Sequence, residues 1–152
     1  MKIGSTEINL KKYPKAKIVI ILPHFNDEIG QELLQNCTEE LIRNEVKKEN
    51  IKVVRVAGAL EIPFAAQKIA RQKNTDVIIA LGVVIRGDTT HYELVTETTY
   101  QALMDVQLTE STPIIFGIIT CENTEQAKIR AAKNKLNKGG EAAIAALLQL
   151  NI

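Results

Sequence analysis

His91 is one of two histidines in the chain, and its neighbours are residues that a phosphate site with a proton-transfer group would use. The string ALGVVIRGDTTHYE (80–93) reads as a buried strand, a glycine turn and the first turn of a helix. Residues 77–85 are apolar or glycine throughout, as in a parallel strand covered on both faces. Gly87 loosens the backbone, and Thr90 with Glu93 three residues later matches a helix capping box. The mouth of that helix presents unpaired N–H groups and a partial positive charge, a natural seat for phosphate. An imidazole there can take up and return a proton. The backbone of Gly87, Asp88 and Thr89 would face the anion, with the Asp88 carboxylate turned outward because it would repel it. Arg130 is the best guanidinium to clamp the phosphate; its plainer alternative is a helix-surface residue.

The elements that must position these groups alternate between strand and helix. Apolar runs at 17–23, 51–56, 77–85 and 113–119 read as strands. Apolar residues at helical spacing mark a helix from Asp27 to about Lys48, capped by Asn26 or Asp27. Further helices are expected at 61–72, with Pro63 in the first turn, and from Thr90 to about Gln107. Asn123 with Gln126 caps a short helix carrying Arg130, and Gly139-Gly140 introduce an alanine-rich helix at 141–150. This order predicts an α/β fold: a flavodoxin-like three-layer α/β/α sandwich on a four-stranded parallel sheet. Residues 2–10 read as an edge strand, a tail, or a strand lent to a neighbouring subunit.

Ligands of such sheets bind beyond the carboxyl ends of the strands. That rule selects the loops at 24–26, 57–61, 85–91 and 120–123. Phe25 is suited either to stacking on a flat ring or to plugging the sheet edge. Gly58 and Ala59 allow close backbone approach to a ligand. Glu61 either satisfies its helix dipole or accepts hydrogen bonds from a polyol or ring N–H. His24 reads as structural, and two histidines without matched ligands argue against a metal site. Neither a Gly-x-Gly-x-x-Gly pattern nor a P-loop is present, which disfavours dinucleotide redox chemistry and nucleotide hydrolysis.

The 152 residues are expected to form a single domain, 1–152. Lys plus Arg (19) nearly balances Asp plus Glu (18), so neither a nucleic-acid nor an acidic-membrane partner is expected. No apolar run approaches the roughly 18 residues of a membrane span. The amino-terminal residues lack a secretory apolar core, and Cys37 and Cys121 read as free thiols of a cytoplasmic protein.

Five segments, in order along nearly the whole chain, resemble lumazine synthases: Phe25-Asn26, AGALEIPFAA (57–66), GVVIRGDTTHY (82–92), PIIFG (113–117) and NKG (137–139). The resemblance implies condensation of 5-amino-6-(D-ribitylamino)uracil with 3,4-dihydroxy-2-butanone 4-phosphate, without cofactor or metal. The product would be 6,7-dimethyl-8-ribityllumazine, the penultimate intermediate of riboflavin. By position, Phe25 would stack on the pyrimidinedione, and Ala59, Leu60 and Glu61 would bind the ribityl-bearing substrate. Val83, Val84 and Ile85 would line the pyrimidine pocket through backbone groups. Gly87, Asp88 and Thr89 would hold the phosphate with Arg130, Lys138 would lend electrostatic support, and His91 would transfer protons. Phe116 would complete the pocket from the adjacent subunit. Leu60 stands where many members carry an aromatic, and His24 where a basic residue is common. The resemblance further implies a homo-oligomer, either a pentamer or an icosahedral shell of pentamers, with riboflavin synthase as a candidate partner. The compact 130–138 connection resembles that of shell-forming members. A noncatalytic lumazine or flavin binder is the competing reading, but a binder has no use for a phosphate clamp.

Overall fold

The computed structural model describes residues 8–152. The expected amino-terminal strand therefore falls largely outside the described residues, and residues 8–10 form no regular element. Four strands, β1 (Ile18–Pro23), β2 (Ile51–Val56), β3 (Val77–Ile85) and β4 (Ile114–Cys121), form one parallel sheet in the order β2-β1-β3-β4. The helices are α1 (Asp27–Arg43), α2 (Ile62–Arg71), α3 (His91–Glu110), α4 (Thr124–Ala131) and α5 (Lys138–Gln149). Short 3-10 turns precede β2 (Lys48–Asn50) and α2 (Ala59–Glu61).

Strand periodicity sorts the side chains into two cores. Ile18, Ile20 and Leu22 of β1, with Val77, Ile79, Leu81 and Val83 of β3, face α1, α4 and α5. Ile21, Ile78 and Ala80 face α2 and α3 on the other side. Both faces are thus covered, which is why β1 and β3 lack polar alternation. Each fully buried Ile or Leu contributes about 1.5–3 kcal/mol from leaving water. Cys37 belongs to the first core, and burial pushes its thiol up to about 12; burial also raises that of Cys121.

Three helix ends differ from expectation, the simplest being α5, which opens at Lys138 on an Asn137 cap so that Gly139 and Gly140 lie inside its first turn rather than before it. The first helix stops at Arg43 rather than near Lys48. There Glu45 adopts φ 69° and the Val46 N–H returns to the Leu41 carbonyl at 3.1 Å, a Schellman-type stop sealed by two buried apolar side chains. At the start of α3 no Thr90–Glu93 capping box forms. Glu93 instead pairs with Arg86, and the Thr89 hydroxyl accepts the His91 N–H at 3.3 Å. The Asn123 cap is present, its side chain accepting from Gln126 N at 2.9 Å.

Helices α1 and α5 lie close enough that only glycine fits between them. A Cβ on Gly139 would stand 2.2 Å from the Leu33 carbonyl oxygen, a backbone atom that cannot swing aside. Gly139→Ala is expected to destabilise the fold by about 1–3 kcal/mol through overpacking. Urea unfolding checks this, and an unchanged midpoint would contradict it.

Candidate active site

At the carboxyl end of the sheet, β1 leads away to β2 on one side and has β3 on the other, so the chain reverses direction there. A crevice opens at such a switch point. Here it is a cavity of about 480 Å³. Its walls come from three connections: Phe25 and Asn26 after β1, Gly58 to Glu61 after β2, and Val83 to Ile85 with Gly87, Thr89 and His91 after β3. Pro23, Tyr92 and Val95 complete the lining.

Phe25 is 70% exposed, so the plug reading fails: its ring covers little core. It lies instead over Gly58, where an added Cβ would meet the ring at 2.8 and 3.0 Å. Glu61 bends one carboxylate oxygen back to the Gly58 N–H at 2.8 Å, which orders the 3-10 turn. Its other oxygen bonds no described residue, so the capping and ligand-binding readings are compatible. Asn26 adopts φ 57° and gives α1 no side-chain cap; its amide donates to the Val83 carbonyl at 2.9 Å, tying the first connection to the third.

Beyond β3 the backbone N–H groups of Gly87, Asp88 and Thr89 donate to no other described residue. With the start of α3 they form a cluster of donors suited to an anion. His91, the first residue of α3, is exposed and borders the cavity beside them. Arg86 is already committed: it pairs with Glu93 and with Glu122 (2.8 Å) and stacks on Tyr92, 4.2 Å from the ring centroid. Those carboxylates raise the affinity of Arg86 for its proton, and Arg86 holds the Glu93 carboxyl below its ordinary value.

Four of the anticipated site residues do not line this cavity: Asp88, Phe116, Arg130 and Lys138. Asp88 is exposed. Phe116 pairs across the sheet with Ala80, several residues before the strand end, and packs edge-on against Tyr100 at 5.4 Å. Arg130 is half-buried on α4, and its charge acts on the Cys121 thiol, beside Ile85 in the sheet. Lys138 opens α5 and pairs with Glu141 at 2.6 Å. Conversely, sequence reasoning passed over Pro23, Asn26, Tyr92 and Val95 as site residues. Asn26 left a trace as a polar residue at a strand-to-helix corner, but nothing local marked its bond to Val83.

A family profile for 6,7-dimethyl-8-ribityllumazine synthase matches residues 15–152. The chain belongs to the 6,7-dimethyl-8-ribityllumazine synthase family. This is a transferase family that makes the lumazine precursor in riboflavin biosynthesis, and its members assemble as oligomers. The match spans all four strands and all three connections that wall the cavity.

Proposed function

We propose that the chain condenses 5-amino-6-(D-ribitylamino)uracil with 3,4-dihydroxy-2-butanone 4-phosphate to give 6,7-dimethyl-8-ribityllumazine, phosphate and water. One observation carries this reading: a single cavity joins an exposed aromatic and a half-free carboxylate to a cluster of unused N–H donors beside a histidine. Phe25 stacks on the pyrimidinedione, Val83 to Ile85 flank it, and Ala59, Leu60 and Glu61 take the ribityl chain. Gly87, Asp88 and Thr89 bind the phosphate through backbone N–H groups, and Arg130 swings in from α4 to complete its charge. Lys138 contributes from a distance.

The amine attacks the ketone, water leaves to give an imine, phosphate is eliminated, and the ribityl-bearing nitrogen closes the ring with loss of a second water. Each step moves a proton, and His91 is the group at the cavity wall that can take and return it. The working form is a homo-oligomer, a pentamer or a shell of pentamers, in the cytoplasm. The exposed Phe64, Leu94 and Leu108 of α2 and α3 are the kind of surface a second copy covers. Phe116 serves the neighbouring subunit's cavity. Riboflavin synthase, which consumes the product, is the candidate partner.

The test is to mix the two substrates and follow lumazine absorbance and phosphate release together. Tight lumazine binding without turnover would establish a binder instead. Gly58→Ala offers a finer check. Its methyl group displaces the exposed Phe25 ring rather than the fold, so KM for the pyrimidine is expected to rise several-fold with thermal stability retained. An unchanged KM would remove the Phe25–Gly58 contact from substrate binding.

A further inference from the structure

The Phe25 ring is exposed and lies over Gly58, so little of the core packs around it and its backbone largely sets its direction. What holds that backbone is therefore what aims the ring. The His24 N–H donates to the Val56 carbonyl at 2.8 Å, and the Phe25 N–H to the Ala57 carbonyl at 3.2 Å. On the carboxyl side of Phe25, Asn26 sits in the left-handed region, and its amide donates to the Val83 carbonyl at 2.9 Å.

Arg55 of β2 ties the residues on either side of this corner. Its Nε donates to the Leu22 carbonyl at 3.1 Å, and its Nη2 to the Pro23 carbonyl and to His24 Nδ1, each at 3.2 Å. The same nitrogen pairs with the Asp27 carboxylate. Guanidinium only donates, so His24 Nδ1 must be the acceptor. These partners bracket Phe25 in sequence, three before it and one after it. The planar fork reaches them from two nitrogens, the two N–H bonds of Nη2 being shared among the Pro23 carbonyl, His24 Nδ1 and Asp27; a lysine ammonium, a point charge on a flexible stem, does not reproduce that geometry. The Arg55 side chain is 27% exposed and Asp27 48%, so the part-buried bonds to the Leu22 and Pro23 carbonyls hold the corner more firmly than the ion pair does.

We propose that Arg55 is a positioning residue for the pyrimidine substrate, acting through Phe25: it locks the corner after β1 so that the ring stays over Gly58 and Glu61. Arg55 itself does not line the cavity. This inference rests on the proposed condensation.

The test is steady-state kinetics on wild type, Arg55→Lys, Phe25→Ala and the double variant, with each substrate varied in turn. Arg55→Lys is expected to raise KM for the ribitylaminopyrimidine roughly tenfold, short of the ~100-fold that a full ångström of misplacement can cost, and to leave KM for the butanone phosphate unchanged. The double variant should be no worse than Phe25→Ala alone, because the two act as a unit. An equal rise in both KM values, or effects that multiply in the double variant, would show that Arg55 merely supports the fold. Should Arg55→Lys fail to assemble, Asp27→Asn removes the exposed partner alone. It should raise the same KM more mildly, and an unchanged value there would overturn the inference. A wild-type chain that makes no lumazine would overturn the proposed reaction and this inference together; a competent wild type with an unaltered Arg55→Lys overturns this inference only.

Discussion

Replacing His91 with alanine is expected to slow turnover by about 10²–10⁴-fold and still leave a measurable rate. That range corresponds to about 3–5 kcal/mol of barrier. Holding two reactants in reacting geometry can supply roughly 7–11 kcal/mol, so positioning by the cavity walls is the larger contribution. The substitution isolates the imidazole. The His91 N–H bonds the Thr89 hydroxyl through the backbone, so the start of α3 survives loss of the side chain. Single-turnover measurement of lumazine formation checks the prediction. No detectable product with both substrates bound would mean that proton transfer, not positioning, dominates.

Arg130→Ala is expected to raise KM for the butanone phosphate roughly 10- to 100-fold, the loss of a charged hydrogen bond worth about 1.5–3 kcal/mol. The two other arginines near the cavity are already engaged. Arg55 is held by carbonyls, an imidazole and Asp27, and Arg86 by two carboxylates and a ring. Arg130 makes no ion pair or hydrogen bond to another described residue, yet it is half-buried beside Cys121 at the end of the sheet. Because no protein partner is lost, the variant should keep its thermal stability. An unchanged KM for the phosphate substrate would remove Arg130 from the site, and an equal rise for the pyrimidine would reassign it to general support of the fold.

These two residues mark how far reading along the chain reaches. His91 was legible because strand, glycine turn and helix start are contiguous, and local sequence places a residue at a helix mouth. Phe25, Glu61 and the 83–85 stretch were legible for a related reason: parallel sheets bind ligands at strand ends, and strand ends show as breaks in apolar runs. Arg130 is different. It lies on a helix away from the cavity lining, so motif and chemistry suggest its role while packing alone does not.

The failures are as specific. The Thr90–Glu93 capping box was a sound local inference, but Arg86 offers Glu93 a full charge where the helix end offers a single N–H. The early end of α1 depends on Val46 turning back into the core beside Leu41, which helical periodicity does not encode. The contacts on either side of Phe25 join Arg55 to residues about thirty positions earlier.

By itself, then, the sequence determined the strand order along the chain, the two-sided burial of β1 and β3, and the loops that wall the cavity. Each of these follows from short-range patterns of apolar, turn and capping residues. Only the tertiary structure decided which charges are spent on one another, that Phe25 is exposed over Gly58, and that Arg55 and Asn26 bond the connections beside it. Those outcomes turn on distances of about 3 Å between groups on neighbouring strands, where several donors compete for the same carboxylates and carbonyls and geometry selects among them.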